Sequence, residues 1–120
     1  MTEITLDWDI SFDTFRNSVS FDILKKWVRL RRELIKVECR KSSHGNTHIR
    51  ITLSDTIEEM TMYQIRSYLR DDIYRIGLDL IRAYQGKPTN RLWDEKYDSL
   101  NGEILKAGDW IDMTEEVIGE

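Results

Sequence analysis

Carboxylates, imidazoles and guanidinium groups are the side chains of this sequence that could do chemistry, and their spacing says what kind. Asp7 and Asp9 alternate with apolar neighbours, so on a strand both point the same way, where paired carboxylates can hold a hard cation. Asp71 and Asp72 are adjacent, which suits acid catalysis or magnesium but also suits a helix start, where a carboxylate accepts from free backbone amides. His44 and His48 follow Cys39 and invite a zinc reading, yet across a flexible turn that spacing does not bring two imidazoles together, and no fourth ligand follows. Asp94-Glu95-Lys96 matches the acidic-x-lysine element of metal-dependent nucleases, a pattern too short to carry a reaction. Solvated strand residues, a helix cap and exposed turn histidines account for these groups without chemistry. No catalytic residue, metal ligand, cofactor or small-molecule ligand is therefore assigned from the sequence.

The bases are a stronger signal. Between Ser20 and Leu53 nine bases stand against three acids, whereas the remainder holds nine bases and nineteen acids. Such segregation suggests a bipolar surface able to attract an anionic partner. If helices cover one face of a sheet, the open face displays Lys36, Arg40, His48, Arg50, Arg66, Tyr68 and Arg70. Bases with an aromatic among them suit phosphate contact and base stacking. The leading expectation is thus a non-enzymatic nucleic-acid-binding or accessory protein. The alternative is a protein-interaction or self-assembly module, and a metal-dependent nuclease is the remote third. Asp7 and Asp9 on the same face oppose the basic reading if their strand is a neighbour.

These residues must be positioned by a small set of elements. Ile4, Leu6, Trp8, Ile10 and Phe12 alternate with polar residues and predict a half-buried strand. Ser20 is the expected cap of a helix running to about Glu33. Residues 35–53 predict a hairpin with an odd-numbered loop. Three residues, His44 to Asn46, pair Val37 with Leu53 and Cys39 with Ile51 and set Arg40 opposite Arg50; five, His44 to His48, pair Ser42 with Arg50. After a short turn or helical piece at Thr56, the alternation of Tyr63, Ile65, Ser67 and Leu69 predicts a strand over 62–69. From Ile73 to Gln85 apolar residues occupy almost the whole helical circumference, leaving the polar line Arg75, Asp79, Arg82, and predict a buried helix capped by Asp71 or Asp72. A short strand over 90–93, a return of 104–111 to the body and a mobile acidic tail over 109–120 complete the reading.

The expected architecture is a single α+β domain over 1–120. It has one sheet of four to five mostly antiparallel strands with two helices on one face, possible as a ferredoxin-like variant. No apolar run approaches the ~20 residues of a membrane span, and Cys39 alone cannot form an internal disulfide. The expected location is cytoplasmic, with no membrane partner.

The string Tyr68-Leu69-Arg70-Asp71-Asp72, then Tyr74-Arg75-Ile76, Leu78-Asp79-Leu80 and Arg82, with Ala107-Gly108-Asp109-Trp110, resembles small uncharacterised proteins of archaea and their viruses or plasmids. The likeness covers the second half of the chain. It departs at Arg70 and Ile73, where glycine and proline would flank the two aspartates. The resemblance implies a mobile-element setting and no activity, cofactor or catalytic residue.

Overall fold

The alternation of Ile4, Leu6 and Trp8 with Thr5, Asp7 and Asp9 forms the first strand, β1 (Thr2–Ser11), in a computed structural model that describes residues 1–119. Phe15 follows in a 3-10 turn (Phe15–Asn17) and is fully buried. Helix α1 (Val19–Arg29) starts at Ser18, whose hydroxyl accepts from the Phe21 amide at 3.2 Å; Ser20, the expected cap, is buried within the first turn.

Strands β2 (Leu34–Lys41) and β3 (Asn46–Leu53) form the hairpin. Its loop is odd-numbered, but it is Ser43-His44-Gly45, closed by Ser42 donating to the Asn46 carbonyl at 2.8 Å. Gly45 takes the positive φ of 87° that this tight turn requires. The register therefore differs from both expected ones: Val37 lies opposite Ile51, Cys39 opposite Ile49, Glu38 opposite Arg50 and Arg40 opposite His48. No like-charged Arg40–Arg50 pair exists, because this register sets an acid against Arg50.

Helix α2 (Glu59–Tyr68) replaces the strand expected over 62–69. The same residues carry a helical stripe: Met62 and Ile65 pack on the core, while Tyr63 and Arg66 are buried. Period-two counting treated Arg66 as an outward residue, whereas it is the most buried side chain of the helix. Helix α3 (Ile73–Tyr84) starts at Asp72, whose carboxylate accepts from the Tyr74 amide at 2.9 Å. Residues 90–93 are not a strand; β4 (Glu95–Asp98) and β5 (Glu103–Lys106) form a separate ribbon. The expected tail instead makes β6 (Ile111–Asp112) and α4 (Thr114–Ile118). Met113 and Val117, four apart, are buried against α1 and β2, and the Val37 amide donates to the Thr114 hydroxyl at 2.9 Å. Glu120, the last residue of that expected tail, lies outside the described residues.

The main sheet is antiparallel in the order β1-β3-β2-β6. The expected single sheet with two helices is thus replaced by two sheets, of four and two strands, and four α-helices among the described residues. β1, α1 and β2 with β3 inserted between the strands begin as a ferredoxin-like fold does, but among the described residues no strand lies outside β1. Side chains occupy that edge: Asp71 accepts from the Asp7 amide at 2.7 Å, Asn90 accepts from the Thr5 amide at 2.9 Å and donates to the Glu3 carbonyl at 2.7 Å. Arg75 donates to the Thr5 carbonyl at 3.0 Å. The inner sheet face, Ile4, Leu6, Trp8, Val37, Cys39, Ile49 and Ile51, packs with α1, Phe15, Leu69 and Val117 into the apolar core. No described helix is long and apolar enough to cross a membrane.

Candidate functional site

The residues expected to form an open basic face do not form one surface, because the loop following α3 and the stretch at Trp110 lie over the outer side of the sheet. Arg40 is only 4% exposed: its Nε donates to His48 Nδ1 at 3.0 Å, and its terminal nitrogens donate to the Asp94 carboxylate at 2.6 Å and the Trp93 carbonyl at 3.3 Å. Arg50 donates to Glu38 at 2.9 Å, and Lys36 stands 3.5 Å from the same carboxylate. The Trp110 ring lies 4.4 Å from the Arg40 guanidinium and 4.2 Å from that of Arg50, so one indole stacks on cations from two neighbouring strands. Hydrogen bonds from Arg50 and Arg40 hold Glu38 and Asp94 below the usual carboxylate range. His48 is buried and its pKa falls to about 4, first through desolvation and then through the cations of Arg40 and Arg75. Arg66 lies elsewhere, buried under α3; Tyr68 and Arg70 are exposed after it, with Arg70 at a φ of 66°.

The groups with metal or acid-base spacing are separated in the same way. Cys39 points into the core and His48 to the opposite sheet face, while His44 is exposed in the turn. Asp9 accepts from the Asn46 side chain at 2.9 Å. Among the described residues no group of three His, Cys, Asp or Glu side chains is placed to share a metal ion. A cavity of about 370 Å³ does open between α3, the hairpin turn and residues 91–96, reached by Asp7, His48, Arg75, Tyr74, Leu78 and Trp93. Its titratable pair is committed to structure: His48 Nδ1 is occupied by Arg40, and Nε2 stands 3.8 Å from Asp7, whose pKa burial raises.

What the fold does present is helix α3, turned against its own pattern. Its polar line faces the body. Asp79 is 2% exposed and accepts from Arg66 at 2.8 Å and from the Asn90 amide at 2.9 Å. Asp71 accepts from Arg66 and from Arg75, each at 2.8 Å. Arg75 also donates to the Thr5 hydroxyl. This network ties α2, α3, β1 and the loop at Asn90 together. On the helix only Ile76 is a buried apolar side chain. The opposite side, Ile73, Tyr74, Leu78, Leu80, Ile81 and Tyr84, faces solvent, with Tyr84 96% exposed.

The expectation of a buried helix is corrected on physical grounds. A fully buried Arg66 needs acids, and Asp71 and Asp79 reach it only if the polar line of α3 turns inward. The apolar face must then point out. Sequence reading identified that polar line and the apolar face, and missed which side turned inward; Arg66, five residues before Asp71, was the residue that decided it. Trp110, Asp94 and Asn90, which seal the sheet, gave no pattern that periodicity could detect.

Comparison of the chain with protein-family models, with curated proteins and with solved structures finds no match.

Proposed function

We propose that this protein is a protein-interaction module whose working surface is the outward face of α3. The observation that carries the reading is the inversion of that helix: Arg75 and Asp79 are spent on an internal network while six large apolar side chains are left in water. Scattered exposed apolar residues are ordinary, but a contiguous apolar face of this kind is the mark of a docking surface. Trp93, 62% exposed, lines the adjacent cavity with Tyr74 and Leu78, in a polar setting that includes Arg82 and Lys96. The nucleic-acid reading has lost its assembled face and keeps only scattered exposed bases such as Arg70. The mobile-element setting rests on the resemblance alone and adds no residue to this surface.

A polarity-sensitive dye on Gln85→Cys, beside the face, tests the reading, since Cys39 is buried and stays unlabelled. In the isolated chain at nanomolar concentration the dye should report water and be quenched freely by iodide. Shielded, apolar emission under those conditions would mean the chain covers its own helix, and would overturn the proposal.

A further inference from the structure

Resting on that reading, we infer that the occupant of the α3 face is a second copy of this chain, docked α3 against α3, antiparallel, about a two-fold axis at Gly77. Area is the first argument. At ~200 Å² for a fully exposed side chain of this size, the fractional exposures of Ile73, Tyr74, Leu78, Leu80, Ile81 and Tyr84 leave roughly 800 Å². That is about what each partner contributes to a standard stable interface.

Self-complementarity is the second argument. The face itself carries no charged side chain: Arg75 and Asp79 are turned to the body, and Arg82, 41% exposed, stands at its edge beside Leu78. Nothing on it selects a charged partner, and nothing repels a copy of itself. Antiparallel pairing also sets each helix dipole against the opposite end of the other.

Gly77 supplies the third. Glycine inside a helix weakens it relative to alanine, and nothing in the isolated chain calls for one here: a Cβ at Gly77 would have no atom within 4 Å. On a two-fold axis a residue meets its own copy. A glycine there lets the helices approach toward the near end of the 8–10 Å range of packed pairs, with Ile73 of one copy beside Ile81 of the other. The β1 edge, sealed by Asp71, Arg75 and Asn90, is not available for pairing by strand addition.

The test uses the full chain. Sedimentation over micromolar to millimolar concentration should show a monomer–dimer equilibrium. Ile81→Asp should weaken it tenfold or more with an unchanged circular-dichroism spectrum. Gly77→Ala separates the pairing role from a merely structural one: it should raise the melting temperature of the dilute monomer and still weaken the dimer. Spin labels on Gln85→Cys should lie ~25 Å apart in the dimer, from eight residues of helix on each side of the axis; a parallel pair would place them much closer and overturn the stated geometry. A chain that stays monomeric at every concentration, with its Gln85 label mobile, overturns self-pairing while leaving the docking reading intact. An immobile label in that monomer overturns both. Flotation with anionic vesicles in place of dimerisation would assign the face to a lipid surface and also overturn the inference.

Discussion

The guanidinium of Arg66 and the carboxylate of Asp79 meet at 2.8 Å with side chains 0% and 3% exposed, and this contact decides which way helix α3 faces. A buried cation without a partner is far more costly than a buried pair. One terminal nitrogen of Arg66 is already without a partner, so the remaining bonds to Asp71 and Asp79 must satisfy the charge. Asp79→Ala should therefore lower stability by about 3–5 kcal/mol, read from urea unfolding. Replacing the pair by apolar residues, Arg66→Met with Asp79→Leu, should recover much of that loss. If the single variant unfolds at the wild-type urea midpoint, the network does not anchor α3.

The pH dependence of stability should carry the mark of His48. Its pKa in the folded chain is lowered from 6.5 to about 4, so between those values the unfolded chain binds a proton that the folded chain refuses. Stability rises with pH wherever the unfolded state binds more protons. The His48 contribution is thus present in full above about 6.5 and lost progressively as pH falls to about 4. Asp7, whose pKa burial raises, acts in the opposite sense at the acidic end, because protonation relieves its cost in the folded chain. Comparing urea midpoints of wild type and His48→Gln across pH 4–7 isolates the histidine. An unchanged slope in the variant removes His48 as its origin.

Charge reversal on the sheet separates the structural role of the arginines from a role in nucleic-acid binding. Arg40→Glu would set a second carboxylate against Asp94, and Trp110→Ala would remove the ring stacked on both arginines. Trp110→Ala should cost roughly 1–3 kcal/mol, from two stacked cations at ~0.5–1 kcal/mol each on a partly exposed ring and up to ~1 kcal/mol of lost apolar area. Arg40→Glu should cost at least about 2 kcal/mol. Melting temperature and low-salt binding to DNA and RNA are measured together. An Arg40→Glu protein with wild-type stability and lost nucleic-acid binding would restore the basic-face reading.

How far the sequence could be read depended on whether local pattern or long-range partners decided the outcome. The alternation in β1 of apolar with polar residues made Ile4, Leu6 and Trp8 legible as core, and one of the two adjacent aspartates, Asp72, was legible as a cap. Hairpin parity followed from hydrophobic register, but its centre was misplaced because Gly45 takes the last loop position with Asn46 already paired. The stretch from Met62 to Leu69 fits both a period of two and a helical stripe, and only the burial of Arg66 separates them. The outer sheet face could not be read at all, because what covers it, Asp94 and Trp110, comes from a segment distant in sequence with no periodicity of its own. For α3 the composition was clear and the orientation was not. A helix apolar on most of its surface is ordinarily buried, and here a buried guanidinium on another helix overrides that preference.

Asn90 is where the sealed edge of β1 can be opened deliberately. Its side chain accepts from the Thr5 amide at 2.9 Å and the Thr5 hydroxyl at 2.6 Å, and donates to the Glu3 carbonyl at 2.7 Å, while its backbone takes a φ of 59°. Asn90→Gly keeps the backbone conformation and loses the side-chain bonds, leaving partly buried strand groups unpaired, at about 2 kcal/mol. Asn90→Ala loses the bonds and adds a left-handed penalty of roughly 1–2 kcal/mol. That penalty outweighs the extra unfolded-state entropy of glycine, ~0.4–1 kcal/mol, so alanine should be the more damaging change. Both variants expose the amide and carbonyl groups of β1 that a second chain can pair with. They should bind thioflavin on prolonged incubation where the wild type does not, and Ile81→Asp should leave this association untouched, since it uses the strand edge and not α3. Wild-type stability in Asn90→Ala, or thioflavin-positive association abolished by Ile81→Asp, would contradict this account of the edge.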